Sequence, residues 1–96
     1  MSSAYSVSLR EMGWVVGEDE LSAKKYFPFK DFKDAFAFMT AIAAEAERLG
    51  HHPDWRNVYG DVWVTLTTHD VGGLTQLDLL LAQVCDARSA YLLEEE

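Results

Sequence analysis

The sequence predicts an α+β fold, a four-stranded antiparallel sheet with two main helices on one face, in the order strand-strand-helix-strand-strand-helix. Two long stretches repeat apolar side chains every three or four residues, as amphipathic helices do. Each follows two short segments rich in β-branched and aromatic residues. The chain has 96 residues, 49% of them hydrophobic, and this size predicts one domain over residues 1–96. The second face of the sheet is expected to be open.

The first hairpin is predicted from strands at residues 14–16 and 25–29, with residues 17–20 as the loop. Pro28 lies in the second of these strands. Because proline lacks a backbone donor, we expect this strand to lie at an edge of the sheet or to end near Pro28.

The second hairpin is predicted from residues 55–59 and 62–68, with Gly60-Asp61 as a two-residue turn. The stretch 62–68 alternates, which is typical of a strand with one buried face. One face carries Val62, Val64, Leu66 and Thr68, and the other carries Trp63, Thr65 and Thr67.

A helix is predicted over residues 32–49. Asp31 is the expected N-cap, Asp34 is a favourable anion in the first turn, and Gly50 suits the left-handed residue after the helix. The next three residues, His51-His52-Pro53, must leave the helix, since proline disfavours the helical conformation of the residue before it. The apolar positions of this helix are Phe32, Ala35, Phe36, Met39, Ile42, Ala43, Ala46 and Leu49.

The last helix is expected to begin at Thr75, whose hydroxyl can cap it. Thr75-x-x-Asp78 resembles a capping box in which aspartate replaces the usual glutamate or glutamine, so the Asp78 carboxylate can bond the start of the helix. Leu79 lies outside the predicted apolar face. It is expected to be either a simple exposed leucine or a contact between subunits of an oligomer. That face consists of Leu77, Leu80, Leu81, Val84 and Cys85.

Composition excludes several classes of function. The net charge of −8 opposes binding to nucleic-acid phosphates and to anionic membrane surfaces. No apolar run reaches the roughly 20 residues needed to cross a bilayer. The first residues lack the apolar core of a secretion signal, and the single cysteine, Cys85, cannot form an internal disulfide, so a cytoplasmic protein is expected.

All three histidines lie at two turn-like junctions, His51 and His52 after the first helix and His69 after the last strand. Histidine changes its charge near neutrality, so histidines in loops with carboxylates nearby suit proton transfer. Structural roles are also open at this point: His51 can interact with the end of the helix, and His69 can hydrogen-bond a loop.

A zinc centre is a competing interpretation, because three histidines and an open position describe a catalytic zinc site. Adjacent histidines rarely converge on one ion, and the chain contains no His-x-x-x-His spacing. The sequence therefore predicts no metal.

Most of the chain, from Trp14 to the last helix, resembles the pterin-4a-carbinolamine dehydratases. The histidine junctions carry much of this resemblance. The matching stretches are Gly13-Trp14, Phe27-x-Phe29-Lys30-Asp31-Phe32, Phe38-Met39, Glu47-x-x-x-His51-His52-Pro53-x-Trp55-x-Asn57-Val58-Tyr59 and Leu66-x-Thr68-His69-x-x-x-Gly73-Leu74-Thr75-x-x-Asp78.

The resemblance implies dehydration of a 4a-hydroxytetrahydropterin to the quinonoid dihydropterin, which recycles the pterin after aromatic amino acid hydroxylation. It implies functional coupling to such a hydroxylase and no cofactor, since the pterin is the substrate and loses no electrons. The site residues it implies are His51, His52, His69 and Asp78. Our hypothesis is that His52 is the base and His69 the acid.

Substrate contacts are implied as well. Trp14 and Pro53 can wall a flat ring, and the backbone near Gly73 can recognise the pterin edge. Glu47 matches an acidic position at the edge of the site, although its place on the helix is also that of a solvated side chain. Thr68 is also expected to contact the substrate.

The resemblance implies a homo-oligomer, a dimer or a tetramer. The segment before Trp14 is short, so little room for a full leading helix is expected. The alternative to an enzyme is a non-enzymatic dehydratase-like module, either a transcriptional dimerisation cofactor or a chaperone. The presence of the three histidines and Asp78 favours the enzyme.

Overall fold

The computed structural model describes residues 3–93. Over this range it contains helices α1 (Ala4–Glu11), α2 (Phe32–Leu49) and α3 (Gln76–Leu93), and strands β1 (Val15–Val16), β2 (Ala23–Pro28), β3 (Asp54–Val58) and β4 (Asp61–Leu66). A 3₁₀ turn, His69–Val71, separates β4 from α3. The strands pair antiparallel in the order β1-β2-β4-β3, which confirms the predicted fold class.

The core lies between one face of the sheet and the helices. Val62, Val64 and Leu66 alternate along β4 with no more than 1% exposure, as the period of the strand predicts. Phe38 of α2 packs against Phe27 and Phe29, with ring centroids 5.0 Å apart in both pairs. On the opposite face Tyr26 is 49% exposed, and no described helix covers it.

Helix α2 confirms the prediction at both ends. The Asp31 carboxylate accepts the N–H of Asp34 at 2.9 Å, and Gly50 adopts the left-handed conformation with φ 64°. The predicted apolar face is partly wrong, because Phe32 and Phe36 are 48% and 54% exposed and contact each other instead. The buried residues of this helix are Asp34, Ala35, Phe38, Ile42 and Ala46.

The turn of the second hairpin is Tyr59-Gly60, one residue earlier than predicted, since Val58 pairs with Asp61. Gly60 lies against the end of β2, where the Phe29 N–H donates to the Gly60 carbonyl at 2.8 Å. A Cβ at Gly60 would clash with the Phe29 carbonyl oxygen. Close backbone packing therefore sets the position of this turn.

Strand β2 lies inside the sheet, between β1 and β4, so it is not an edge strand. It ends at Pro28, as the alternative prediction required. The missing donor thus falls at the last position of the strand, where the ladder stops.

Helix α1 contradicts the expectation that little room exists for a leading helix. The Ser3 hydroxyl accepts the N–H of Ser6 at 3.1 Å and caps the helix. Leu9 is fully buried in the core. Eight residues are too few to form a stable helix alone, so tertiary packing stabilises α1 and the local pattern gives little sign of it.

The buried face of α3 also differs from the prediction. Leu79 packs against the core, whereas Leu80 is 36% exposed. The buried stripe includes two polar residues, Asp78 and Ser89, which a hydropathy pattern assigns to solvent. None of the helices in residues 3–93 has the length and apolar character that a bilayer span requires.

Candidate active site

All three histidines line one cavity of about 270 Å³. It lies where the loop after α2 meets the segment between β4 and α3. Its lining residues are Gly50, His51, His52, Thr67, Thr68, His69 and Asp70.

Two local backbone structures hold the histidines there. After the left-handed Gly50, the N–H of His51 donates to the Ala46 carbonyl at 3.0 Å and turns the chain back towards the sheet. Beyond β4, Thr68 and Gly73 form an isolated antiparallel bridge that closes the loop carrying His69. Main-chain hydrogen bonds therefore anchor His51 and the loop that carries His69.

His51 forms a buried pair with Asp78. Its Nε2 lies 2.6 Å from Asp78 Oδ1, and Asp78 has no exposed surface. Asp78 Oδ2 accepts hydrogen bonds from the Thr68 hydroxyl at 2.7 Å and from the Thr75 N–H at 2.9 Å. The Thr75 hydroxyl in turn accepts the N–H of Leu77 at 3.3 Å, so the predicted hydroxyl cap and the predicted bond from Asp78 to the helix start are both confirmed, although the N–H of Asp78 itself bonds the Thr75 carbonyl and the box is not fully reciprocal. The carboxylate that caps α3 also orients His51.

His52 forms a second pair, with Glu47 on the last turns of α2. The Nε2 to Oε2 distance is also 2.6 Å, but the two side chains are 62% and 77% exposed. An ionised carboxylate only accepts hydrogen bonds, so the facing Nε2 of His52 carries a proton. Nδ1 is then the ring nitrogen with a free lone pair when the imidazole is neutral.

The imidazole of His69 has no hydrogen-bond partner within residues 3–93, and its side chain is exposed. Its main-chain carbonyl accepts the Gly72 N–H at 3.1 Å, which closes the 3₁₀ turn. The ring is thus free to meet a ligand, while the backbone that carries it is fixed.

Trp14 does not line this cavity, so the prediction that it walls the substrate site gains no support from this pocket and stays a prediction. Its side chain is 2% exposed and packs edge-on against Phe27. Its indole N–H donates to Asp86 at 3.2 Å, and Asp86 also binds Lys25 at 2.9 Å. In the described chain Trp14 is a core residue that ties β1 to α3.

The other predicted contacts differ in position. Thr68 lines the cavity and binds Asp78. Pro53 and Gly73 adjoin lining residues in the chain but do not line the cavity, and Glu47 reaches it only through His52. Their roles towards a substrate stay predictions.

Thr67 and Asp70 line the cavity, and sequence reasoning missed both. Asp70 directly follows His69, and this adjacency is the sequence signal that could have identified it as a residue of the site. Neither side chain belongs to the core, since Asp70 is exposed and Thr67 is only partly buried. Across residues 3–93, no three His, Cys, Asp or Glu side chains form a group arranged to hold a metal ion.

Fold and site together define a small α+β protein with a histidine-lined pocket suited to acid–base chemistry. The family described as pterin 4 alpha carbinolamine dehydratase matches residues 2–88. The chain belongs to this family.

Curated relatives agree with this assignment. A protein of Mesorhizobium japonicum named "Putative pterin-4-alpha-carbinolamine dehydratase" is 52% identical over 81 residues, which cover 83% of both chains. A relative of the same name from Dinoroseobacter shibae is 55% identical over 78 residues, 81% of this chain and 80% of its own.

Solved structures of similar proteins include two that cover more than three quarters of this chain. A transcriptional coactivator/pterin dehydratase from Brucella melitensis superposes with a TM-score of 0.83 at 38% identity, covering 92% of this chain and 97% of its own. A pterin dehydratase-like protein, identified as a RuBisCO assembly factor in the alpha-carboxysome, has a TM-score of 0.68 at 25% identity, with coverages of 79% and 88%.

Proposed function

We propose that this protein is a hydro-lyase that dehydrates 4a-hydroxytetrahydropterin to the quinonoid dihydropterin. The observation that carries the proposal is the convergence of His51, His52 and His69 on one cavity. Histidine is the residue type that enzymes use most often for general acid–base catalysis.

In the proposed reaction His52 accepts the proton from N5 of the pterin, and His69 donates a proton to the departing 4a-hydroxyl. The C4a–O bond breaks and water leaves. The N5 electron pair forms the new C4a–N5 double bond. One proton is taken and one is given, so the protein supplies no electrons. Acid–base catalysis of this kind contributes about 10²–10⁴-fold to a rate.

His51 and Asp78 support this chemistry from the inner side of the cavity. Three donors hold the Asp78 carboxylate, so its orientation is fixed before a ligand binds. It fixes His51 in turn, with Nδ1 as the nitrogen free to face a ligand. A cavity of about 270 Å³ is small for a ligand site, which suits a compact bicyclic ring.

The proposal includes a biological setting. The reaction recycles tetrahydropterin in the cytoplasm after an aromatic amino acid hydroxylase, and the chain acts as a homo-oligomer, a dimer or a tetramer. The net charge of −8 supports a neutral small-molecule substrate rather than nucleic acid or an anionic membrane.

The test is to generate the short-lived carbinolamine with a phenylalanine hydroxylase and to follow its decay optically. Wild-type protein is expected to accelerate the decay, and His69→Ala to abolish most of the acceleration. Lys33→Ala, an exposed change on α2 outside the cavity, is the matched control and is expected to behave as wild type. Decay at the protein-free rate with folded wild-type protein would overturn the proposal.

A non-enzymatic module is the second candidate, because a similar solved structure is that of a protein identified as a RuBisCO assembly factor. This candidate predicts a folded wild-type protein that neither binds pterin nor accelerates the decay. The same assay therefore separates the two functions.

A further inference from the structure

Asp70 is the one acidic side chain that lines the histidine cavity in the described chain. It is exposed and has no hydrogen-bond partner within residues 3–93. The two neighbouring carboxylates are already engaged. Asp78 accepts three hydrogen bonds, and Glu47 binds His52 from outside the cavity. Asp70 is thus the free acceptor of the pocket.

A pterin offers a matching pair of donors. Its pyrimidine ring carries N3–H and the 2-amino group side by side, on the opposite side of the bicycle from N5. A carboxylate can accept both through two parallel hydrogen bonds, which is the strong geometry for a planar group with two adjacent N–H donors. The lining threonine hydroxyls present one oxygen each and cannot accept both donors in this way.

His69 and Asp70 are the first two residues of the 3₁₀ turn, and both line the cavity. Consecutive residues of a 3₁₀ helix point about a third of a turn apart, so His69 and Asp70 face different directions. His69 can then contact the reacting edge of a bound ring while Asp70 contacts another edge.

Resting on the proposed function, we propose that Asp70 is a specificity-determining residue that binds the N3–H and 2-amino edge of the pterin. It takes no part in the proton transfers. Its loss is expected to weaken binding and to leave the chemical step largely intact.

The experiment compares wild-type protein with Asp70→Asn by calorimetric binding at pH 7. The probes are 7,8-dihydropterin and its 3-methyl derivative, which lacks the N3–H. Wild-type protein is expected to bind 7,8-dihydropterin about 10- to 100-fold more tightly than the methyl derivative. Asp70→Asn is expected to lose about tenfold or more in affinity and most of this discrimination. KM should rise in the dehydratase assay, with kcat within about threefold.

Glu11→Gln is the matched control, since it removes one negative charge on α1 outside the cavity and is expected to bind both probes as wild type does. Unchanged affinity and discrimination in Asp70→Asn would overturn the inference while leaving the proposed function intact. A fall in kcat without a change in affinity would also overturn it, because Asp70 would then act on the chemistry. Wild-type protein that binds neither probe and lacks dehydratase activity would overturn the proposed function itself, and this inference with it.

Discussion

The two histidine–carboxylate pairs have the same length and opposite surroundings. His51–Asp78 and His52–Glu47 both measure 2.6 Å, but Asp78 is fully buried whereas Glu47 is 77% exposed. Water and salt screen the charges of an exposed pair, and its two side chains lose conformational entropy when they hold one geometry. When one partner of a buried pair is removed, the other is left as a buried charge without a partner, which is strongly destabilising. Burial, rather than distance, therefore decides what each pair contributes.

The largest effect is expected on removal of the buried carboxylate. Asp78→Ala removes the acceptor for His51, Thr68 and the Thr75 N–H together, and is expected to lower the free energy of unfolding by about 3–5 kcal/mol. Urea unfolding followed by circular dichroism measures it. Asp78→Asn, which keeps the shape of the side chain, guards against a variant that fails to fold. Equal losses in Asp78→Ala and Glu47→Ala would break the comparison.

An intermediate effect is expected from Thr68→Val, which removes one of the three donors to Asp78 but keeps the side-chain shape. A hydrogen bond to a charged group contributes about 1.5–3 kcal/mol, so we expect a loss within that range. Thr65→Val, on the open face of the sheet, is the control and should cost far less. The same urea titration compares the two, and a loss below that of Thr65→Val would show that Asp78 does not depend on this donor.

Glu47→Gln is expected to change stability little, by about 0–1 kcal/mol. Under the proposed function its main effect is expected on catalysis, because the carboxylate holds the ring of His52. We expect Glu47→Gln to lower kcat clearly while the free energy of unfolding changes little. The difference in kcat between wild type and variant should shrink at high salt, because salt screens the pair in the wild-type protein. Dehydratase rates measured across a salt series check this. A large loss of stability would place the pair in the same class as His51–Asp78.

The smallest effect concerns Cys85, which shares the buried stripe of α3 with Asp78. Burial raises the pKa of its thiol to about 12, so the folded protein keeps the thiol protonated and resists alkylation at pH 8. Because the folded pKa is the higher one, stability should be unaffected below about pH 9 and decrease as the pH rises towards 12. Iodoacetamide labelling checks the first expectation, and thermal unfolding against pH checks the second. Rapid labelling of native wild-type protein would contradict the closed packing of this helix.

The sequence predicted correctly those features that depend on residues close together in the chain, namely helix caps and the alternation of a strand. The Asp31 cap, the left-handed Gly50 and the two caps at the start of α3, from the Thr75 hydroxyl and the Asp78 carboxylate, each depend on a few neighbouring residues and appear as predicted. The hairpin order and the buried alternation of β4 follow from a period of two in the same way.

Tertiary packing determined the parts that the sequence pattern missed. Helix α1 exists because Leu9 is buried against the core, and Trp14 is drawn into the core by Phe27 and Asp86. Asp78 looks polar in the pattern but lies on the buried face of α3, because His51 and Thr68 satisfy it from other elements. Such long-range partners leave no periodic signal along the chain.

The central claim is that His52 and His69 act together on one bound substrate, and a double-mutant cycle tests it most directly. Carbinolamine decay would be measured with His52→Ala, His69→Ala and the double variant, each shown to be folded by circular dichroism. We expect each single change to lower kcat by about 10²–10⁴-fold, and the double variant to be little slower than the slower single one, since residues that act as a unit are not additive. Single variants that keep wild-type rates, or losses that multiply in the double variant, would contradict the account.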